Sequence, residues 1–245
     1  MDLATLIGAG GMVGLLVIGI VSGEVSSTFI SLHGLLIVFG GTGAAMLVNT
    51  PLQYVRDTLA ATLSLIRSDP YADAGEAIPV LVRMAELVQR NGMGSMRNAD
   101  TVTANGFFAS AATTALEYNN PEFVRRVLET EVNNQVDRAN EVINVIRTAG
   151  VVSPMFGLIG TLLGIIQVLQ HISDPDAVGT SMGTAITSAF YGIMFANLVC
   201  IPVAGKLRMR LWGEIKMKAM VVEGVIGMMQ GTVPLVLERR LQAFK

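Results

Sequence analysis

The sequence predicts an all-α, polytopic membrane protein with four transmembrane helices and a helical cytoplasmic domain between helices two and three. Three observations carry this. Charged residues make up only 15% of the 245 and hydrophobic ones 51%, with a mean hydropathy of +0.55; a soluble domain carries about 25% charged residues. Four long apolar runs contain no Asp, Glu, Lys or Arg. All 17 Lys and Arg fall in two blocks, residues 56–147 and 206–245.

Crossing about 30 Å of hydrocarbon takes roughly 20 apolar residues in a helix. The runs at 3–21, 32–50, 151–170 and 182–205 meet that length. The chain starts Met1-Asp2 without the basic stretch of a signal peptide, so 3–21 is expected to be a retained helix. Basic residues stay on the cytoplasmic side. Both termini and the region between spans two and three are therefore expected there. The loops at 22–31 and 171–181 carry only acids, Glu24, Asp174 and Asp176, and are expected on the opposite side. The resulting divisions are 1–51 (spans one and two), 52–148 (cytoplasmic helices), 149–205 (spans three and four) and 206–245 (cytoplasmic or interfacial helices).

Within 52–148, Ile78, Leu81, Val82, Ala85 and Val88 recur at helical spacing. Asn119-Asn120-Pro121-Glu122 reads as a helix start, with a capping side chain, then proline and an acid in the first turn. The stripe Phe123, Val127, Val132, Val136, Val142 and Val145 continues from it, and the helix is expected to run into span three. After span four, Lys206, Arg208, Arg210, Lys216 and Lys218 are interleaved with Trp212 and several Met. That mixture suits a helix beside lipid headgroups, where basic chains snorkel. Gly231 and Pro234 end it.

Inside the membrane, Gly157, Gly160 and Gly164 recur at three and four residues and share one face of span three. Small residues let a second helix approach closely, so these are read as packing positions. Thr161 lies on or beside that face, and Pro154 removes one helix hydrogen bond. Span four carries Thr184, Thr187 and Ser188, then Phe190-Tyr191-Gly192, Ala196-Asn197-Leu198 and Pro202. Its hydroxyls either line a polar path or bond back to their own helix carbonyls. No span holds a carboxylate, so any ion handling requires an ionisable group from another chain.

Several classes are excluded. Cys200 is the one cysteine, and His33 and His171 are far apart, which leaves no intramolecular disulfide and no Cys/His metal site. A net charge of −2 gives no nucleic-acid footprint. No Ser/His/Asp set, acid pair or phosphate loop is present in a suitable context; Gly8-Ala9-Gly10-Gly11 lies within the first span. No enzyme and no cofactor is expected.

The residues just quoted resemble the MotA/PomA family, the A subunits of bacterial flagellar stators. Met1-Asp2-Leu3-Ala4-Thr5-Leu6 is similar to the start of sodium-type members. The run from Pro154 to Thr161 is similar to the family's third-helix signature, and Phe190-Tyr191-Gly192 with Ala196-Asn197-Leu198 and Pro202 to its fourth. Val222-Glu223-Gly224, Gly231, Pro234, Leu241 and Phe244 resemble its tail. The resemblance covers almost the whole chain, and is strongest from residue 120 onward.

The resemblance implies an ion-driven rotary motor in the bacterial inner membrane. Five A subunits would surround two B subunits, each B with one membrane helix bearing an aspartate and a peptidoglycan-binding domain. Ion flow by way of that aspartate would turn the A ring against a rotor switch protein. By this resemblance Thr161, Thr187, Ser188 and Ala189 line the ion pathway, and Pro154 and Pro202 couple ion passage to movement. Sodium-type members carry two adjacent threonines where Ser188 and Ala189 stand here, so the missing oxygen favours protons, with sodium the alternative. Members place an Arg before and a Glu after a cytoplasmic glycine to meet the rotor. Here Arg90 lies near the first position and Arg97, of reversed charge, near the second. Arg97 is then either a plain surface charge or the mark of a changed rotor partner. The second implied role is energising a non-flagellar envelope process, as ExbB/TolQ proteins do.

Overall fold

The computed structural model describes residues 31–65 and 74–244, with Ile7, Gly8, Gly10, Gly11, Gly14 and Ile18. The expected first span over 3–21 and the loop bearing Glu24 fall largely outside the described residues. Among the described residues the chain is helical and contains no strand. From residue 31 onward the described helices follow one another as α1 Leu32–Asn49, α2 Leu52–Ser64, α3 Ala77–Asn91, α4 Phe107–Glu117, α5 Pro121–Gln170, α6 Pro175–Met229 and α7 Pro234–Gln242. Of these α1, α5 and α6 are long and apolar enough to cross a membrane. The chain forms two compact units, Met1–Ser68 with Glu141–Leu207, and Asp69–Asn140 with Arg208–Lys245.

In the first unit the apolar runs keep their side chains outward. Leu158, Leu162, Ile166 and Leu169 of α5 are all at least half exposed, an arrangement that water would penalise and lipid accepts. α1 begins at Ser31, whose hydroxyl accepts the Gly34 N–H at 3.1 Å. It is interrupted by a π-helical turn at Leu36–Gly40. Next to it, the Phe156 ring of α5 occupies the place a side chain on Gly41 would need.

α6 carries a second π-helical turn at Phe195–Cys200, where the Ile201 N–H reaches back five residues to the Ala196 carbonyl. Pro202 follows at once. Proline has no N–H to offer the carbonyl four residues back, and a π turn upstream absorbs that mismatch. The rings of Phe39 and Phe195, one from each π turn, meet edge to face with centroids 5.0 Å apart.

The sequence places the fourth span's start at 182, but α6 begins seven residues earlier. Asp174 accepts the Asp176 and Ala177 N–H groups at 3.2 and 3.4 Å, and Pro175 occupies the first turn. Asp-Pro-Asp is a capping sequence, which apolar content alone does not reveal.

The second unit has its own core. Leu81 of α3, Met96, Phe108 of α4, Val124 and Leu128 of α5, Met220 and Val225 of α6, and Leu237 and Leu241 of α7 are almost fully enclosed. α5 opens as its sequence dictates, with the Asn120 side chain accepting the Glu122 and Phe123 N–H groups at 3.0 and 3.1 Å. Between α3 and α4 the chain is irregular. Asp100 accepts from the Val102 and Thr103 N–H groups and the Thr103 hydroxyl at 2.6–3.0 Å. Ala104, Asn105 and Gly106 then adopt φ of 53°, 56° and 87° in succession, a left-handed run that costs energy for the two non-glycines.

Candidate functional site: the wall between two long apolar helices

The membrane part of α5 lies directly on the first part of α6, backbone to backbone. Cβ atoms built on Gly157, Gly160 and Gly164 would fall 2.9 Å from the Ser188 carbonyl oxygen, 2.6 Å from Ser188 Cβ and 2.6 Å from Ala185 Cβ. The contact is reciprocal, since a Cβ on Gly192 would sit 2.7 Å from the Ser153 carbonyl oxygen and 3.0 Å from Pro154 Cα. Close approach of this kind replaces the hydrophobic effect as the source of helix association in lipid.

The hydroxyls sit along this seam. Thr161 is half-buried, and its hydroxyl faces the carbonyls of Gly157 at 3.0 Å and Ala185 at 3.2 Å, one on each helix. Ser153 donates to the Gly192 carbonyl at 3.1 Å. Thr187 donates to Gly183, and Ser188 to Thr184, at 2.8 and 2.7 Å. Both are almost fully enclosed, at 2% and 0% exposure. A Cβ on Gly34 of α1 would meet the Ser188 hydroxyl at 2.9 Å, so α1 covers it on one side and Gly160 on the other. Ala189 is only partly buried.

A hydroxyl that gives its proton to a helix carbonyl turns oxygen lone pairs outward. Thr161 thus presents an acceptor at a half-open position, suited to a cation or to a protonated carboxyl. Among the described residues no group of His, Cys, Asp and Glu could hold a metal ion.

Four further positions shape this wall, and sequence reasoning assigns none of them a role: Ser153, Tyr191, Phe156 and Thr42. Their spacing shows no pattern, because Ser153, Tyr191 and Phe156 each act through a contact outside their own helix. The Tyr191 hydroxyl accepts the Ser31 N–H at 3.2 Å and ties α1 to α6. Thr42 is 4% exposed and its hydroxyl has no hydrogen-bond partner, which costs about 1–3 kcal/mol.

Pro154 stands inside α5, beside Gly192. Pro202 is exposed, just after the π turn of α6. In the second unit, Arg90 in the last turn of α3 and Arg97 in the short 3-10 segment Met93–Asn98 are both exposed, separated by Gly92 with φ 83°.

Lys218 corrects the reading of the tail as uniformly snorkelling. It is 6% exposed, pairs with Glu214 and the Gln135 side-chain oxygen, and lies 5.6 Å from the Phe107 ring centroid. A basic residue in a helical tail looks alike in sequence whether it snorkels or is enclosed; only Glu214, four residues upstream, hints at the pair.

Comparison with known proteins agrees with this architecture. Residues 99–220 match the model of the MotA/TolQ/ExbB proton channel family. The chain is 27% identical to Motility protein A of Treponema phagedenis, over 100% of this chain and 94% of that protein. It is likewise 27% identical to the chemotaxis protein PomA of Vibrio alginolyticus, over 100% and 95%. The solved structure of C. jejuni MotAB superposes with a TM-score of 0.90 at 22% identity, covering 100% of this chain and 96% of that one. With an all-helical fold, a glycine-sealed pair of apolar helices and sequence likeness along its whole length, the chain belongs to the MotA/TolQ/ExbB proton channel family.

Proposed function

We propose that this chain is the A subunit of an ion-driven flagellar stator, which with a B subunit converts ion flow across the inner membrane into torque on the flagellar rotor. One observation carries the reading: the wall of spans three and four offers a half-open hydroxyl, Thr161, but no carboxylate. An ionised side chain is costly in hydrocarbon, and a neutral one far less so. A partner's membrane aspartate, protonated, would donate to Thr161 and pass along a surface of small residues. Each charge crossing about 100 mV releases about 2.3 kcal/mol, which biases a rotation step.

In this reading the chain spans the membrane four times, with both termini and the unit containing α3, α4 and α7 in the cytoplasm. Five copies surround two B subunits. Thr161, with Thr187, Ser188 and Ala189 behind it, forms the ion pathway, and Pro154 and Pro202 couple passage to movement. The transported ion is a proton, because Ala189 supplies no oxygen beside Ser188 and sodium binds through oxygens. Arg90 and Arg97 present the rotor contact.

The test is to purify the chain from its native membrane and identify what travels with it. A single-span partner with a membrane Asp and a wall-binding domain supports the reading; recovery with no such partner contradicts it. Exposed Arg97 favours a second reading, a stator relative that energises an envelope process other than a flagellum. Deleting the chain with unchanged swimming but altered surface function selects that one.

A further inference from the structure

We propose that span two is the mechanical link between Pro154 and Pro202, with Phe39 and Thr42 as its positioning residues. The inference rests on the stator reading. It starts from contacts that neither proline makes itself. Phe156, two residues beyond Pro154 on α5, fills the space beside Gly41 of α1. The π turn of α1, Leu36–Gly40, ends there. Phe39 in that turn meets Phe195 edge to face at 5.0 Å. Phe195 opens the π turn of α6, which runs to Cys200, two residues before Pro202. The two prolines are thereby joined through a third helix by ring contacts and two local changes of helix register.

A π turn is one residue out of step with an α-helix and can move along the chain as the helix shifts. Packed rings pass such shifts on as discrete rearrangements rather than continuous flexing. Thr42 identifies which state the structure holds. Its enclosed hydroxyl has no acceptor here. A threonine in a regular helix bonds the carbonyl four residues back, as Thr58 bonds Tyr54 and Thr62 bonds Thr58 in α2. For Thr42 that carbonyl is Val38, inside the π turn. Straightening the turn would give Thr42 its acceptor, so the hydroxyl favours the other state of span two.

The experiment compares rotation of the complete complex in cells carrying the wild-type chain, Thr42→Val, Phe39→Leu or both. Valine keeps the shape of threonine and costs this state nothing. A link in the cycle changes rates, not the energy per ion. Thr42→Val is therefore expected to lower rotation speed at low load at least two-fold, with stall torque and membrane abundance unchanged. Phe39→Leu is expected to act in the same direction, and the double variant to fall short of the product of the two. Wild-type speed in Thr42→Val at normal abundance overturns the link, whatever Phe39→Leu does to assembly. A wild-type complex that turns no rotor overturns the stator reading instead, and this inference with it.

Discussion

Ser153 and Gly192 hold α5 and α6 at backbone contact: the serine hydroxyl donates to the glycine carbonyl at 3.1 Å, and a Cβ on the glycine would lie 2.7 Å from the serine's own carbonyl oxygen. Neither backbone can yield without breaking that bond. Gly192→Ala should destabilise the purified chain in detergent by about 1–3 kcal/mol, the usual cost of overfilling a packed site. Gly205→Ala is the control, because no atom lies within 4 Å of the added carbon. Thermal unfolding should separate the two; equal midpoints would show that the seam is looser than described.

Thr161 reaches carbonyls on both helices. Thr161→Ala should abolish swimming while the complex assembles at normal abundance, and Thr161→Ser should retain most of it, because the oxygen stays. Normal motility with alanine would remove Thr161 from the pathway.

Lys218 is enclosed with Glu214 and Gln135. Lys218→Met keeps the bulk but leaves Glu214 without its cation. A loss of about 1.5–3 kcal/mol is expected, typical of a hydrogen-bonded charge. Adding Glu214→Leu should recover part of it, since an apolar pair often replaces an enclosed ion pair without cost. Chemical denaturation of the wild type, the two single variants and the double variant gives the coupling directly.

Asp100 fastens the irregular segment that follows Arg97. The Thr103 hydroxyl, then the Val102 N–H, hold its carboxyl below the ordinary 3.8, opposed by desolvation, with the Thr103 N–H adding to the lowering. A carboxyl whose value falls on folding stabilises the fold fully above its ordinary value and loses that contribution as pH drops through the lowered one. Tryptic cleavage after Arg97 should therefore be faster in Asp100→Ala than in wild type at pH 8. Unfolding followed below pH 4 should show less pH dependence in the variant. Equal cleavage rates would mean the segment is held by other means.

The helical architecture is legible in the sequence because an uncharged run of about twenty apolar residues is the length that crosses hydrocarbon. The start of α5 at Asn120-Pro121-Glu122 is equally readable, since capping is local chemistry. The two π turns are not. One lies beside the meeting of Phe156 with Gly41, residues far apart in sequence, and no local pattern announces it. The hydroxyls of the two apolar runs that carry Thr161, Thr187 and Ser188 have two readings in the sequence, and distance alone distinguishes them. Thr187 and Ser188 bond back to their own helix, whereas Thr161 also faces its neighbour. Enclosure of Lys218 is hidden for the same reason, as Gln135 and Phe107 come from distant parts of the chain.

Ion flux into sealed vesicles tests the central claim, that this wall works only with a carboxylate supplied from outside. Vesicles holding the chain alone should be as tight as empty ones. Those holding it with the proposed single-span partner should conduct, and that partner with Asn in place of its membrane Asp should close them again. Flux through the chain by itself, or through the Asn complex at the normal rate, would contradict the account.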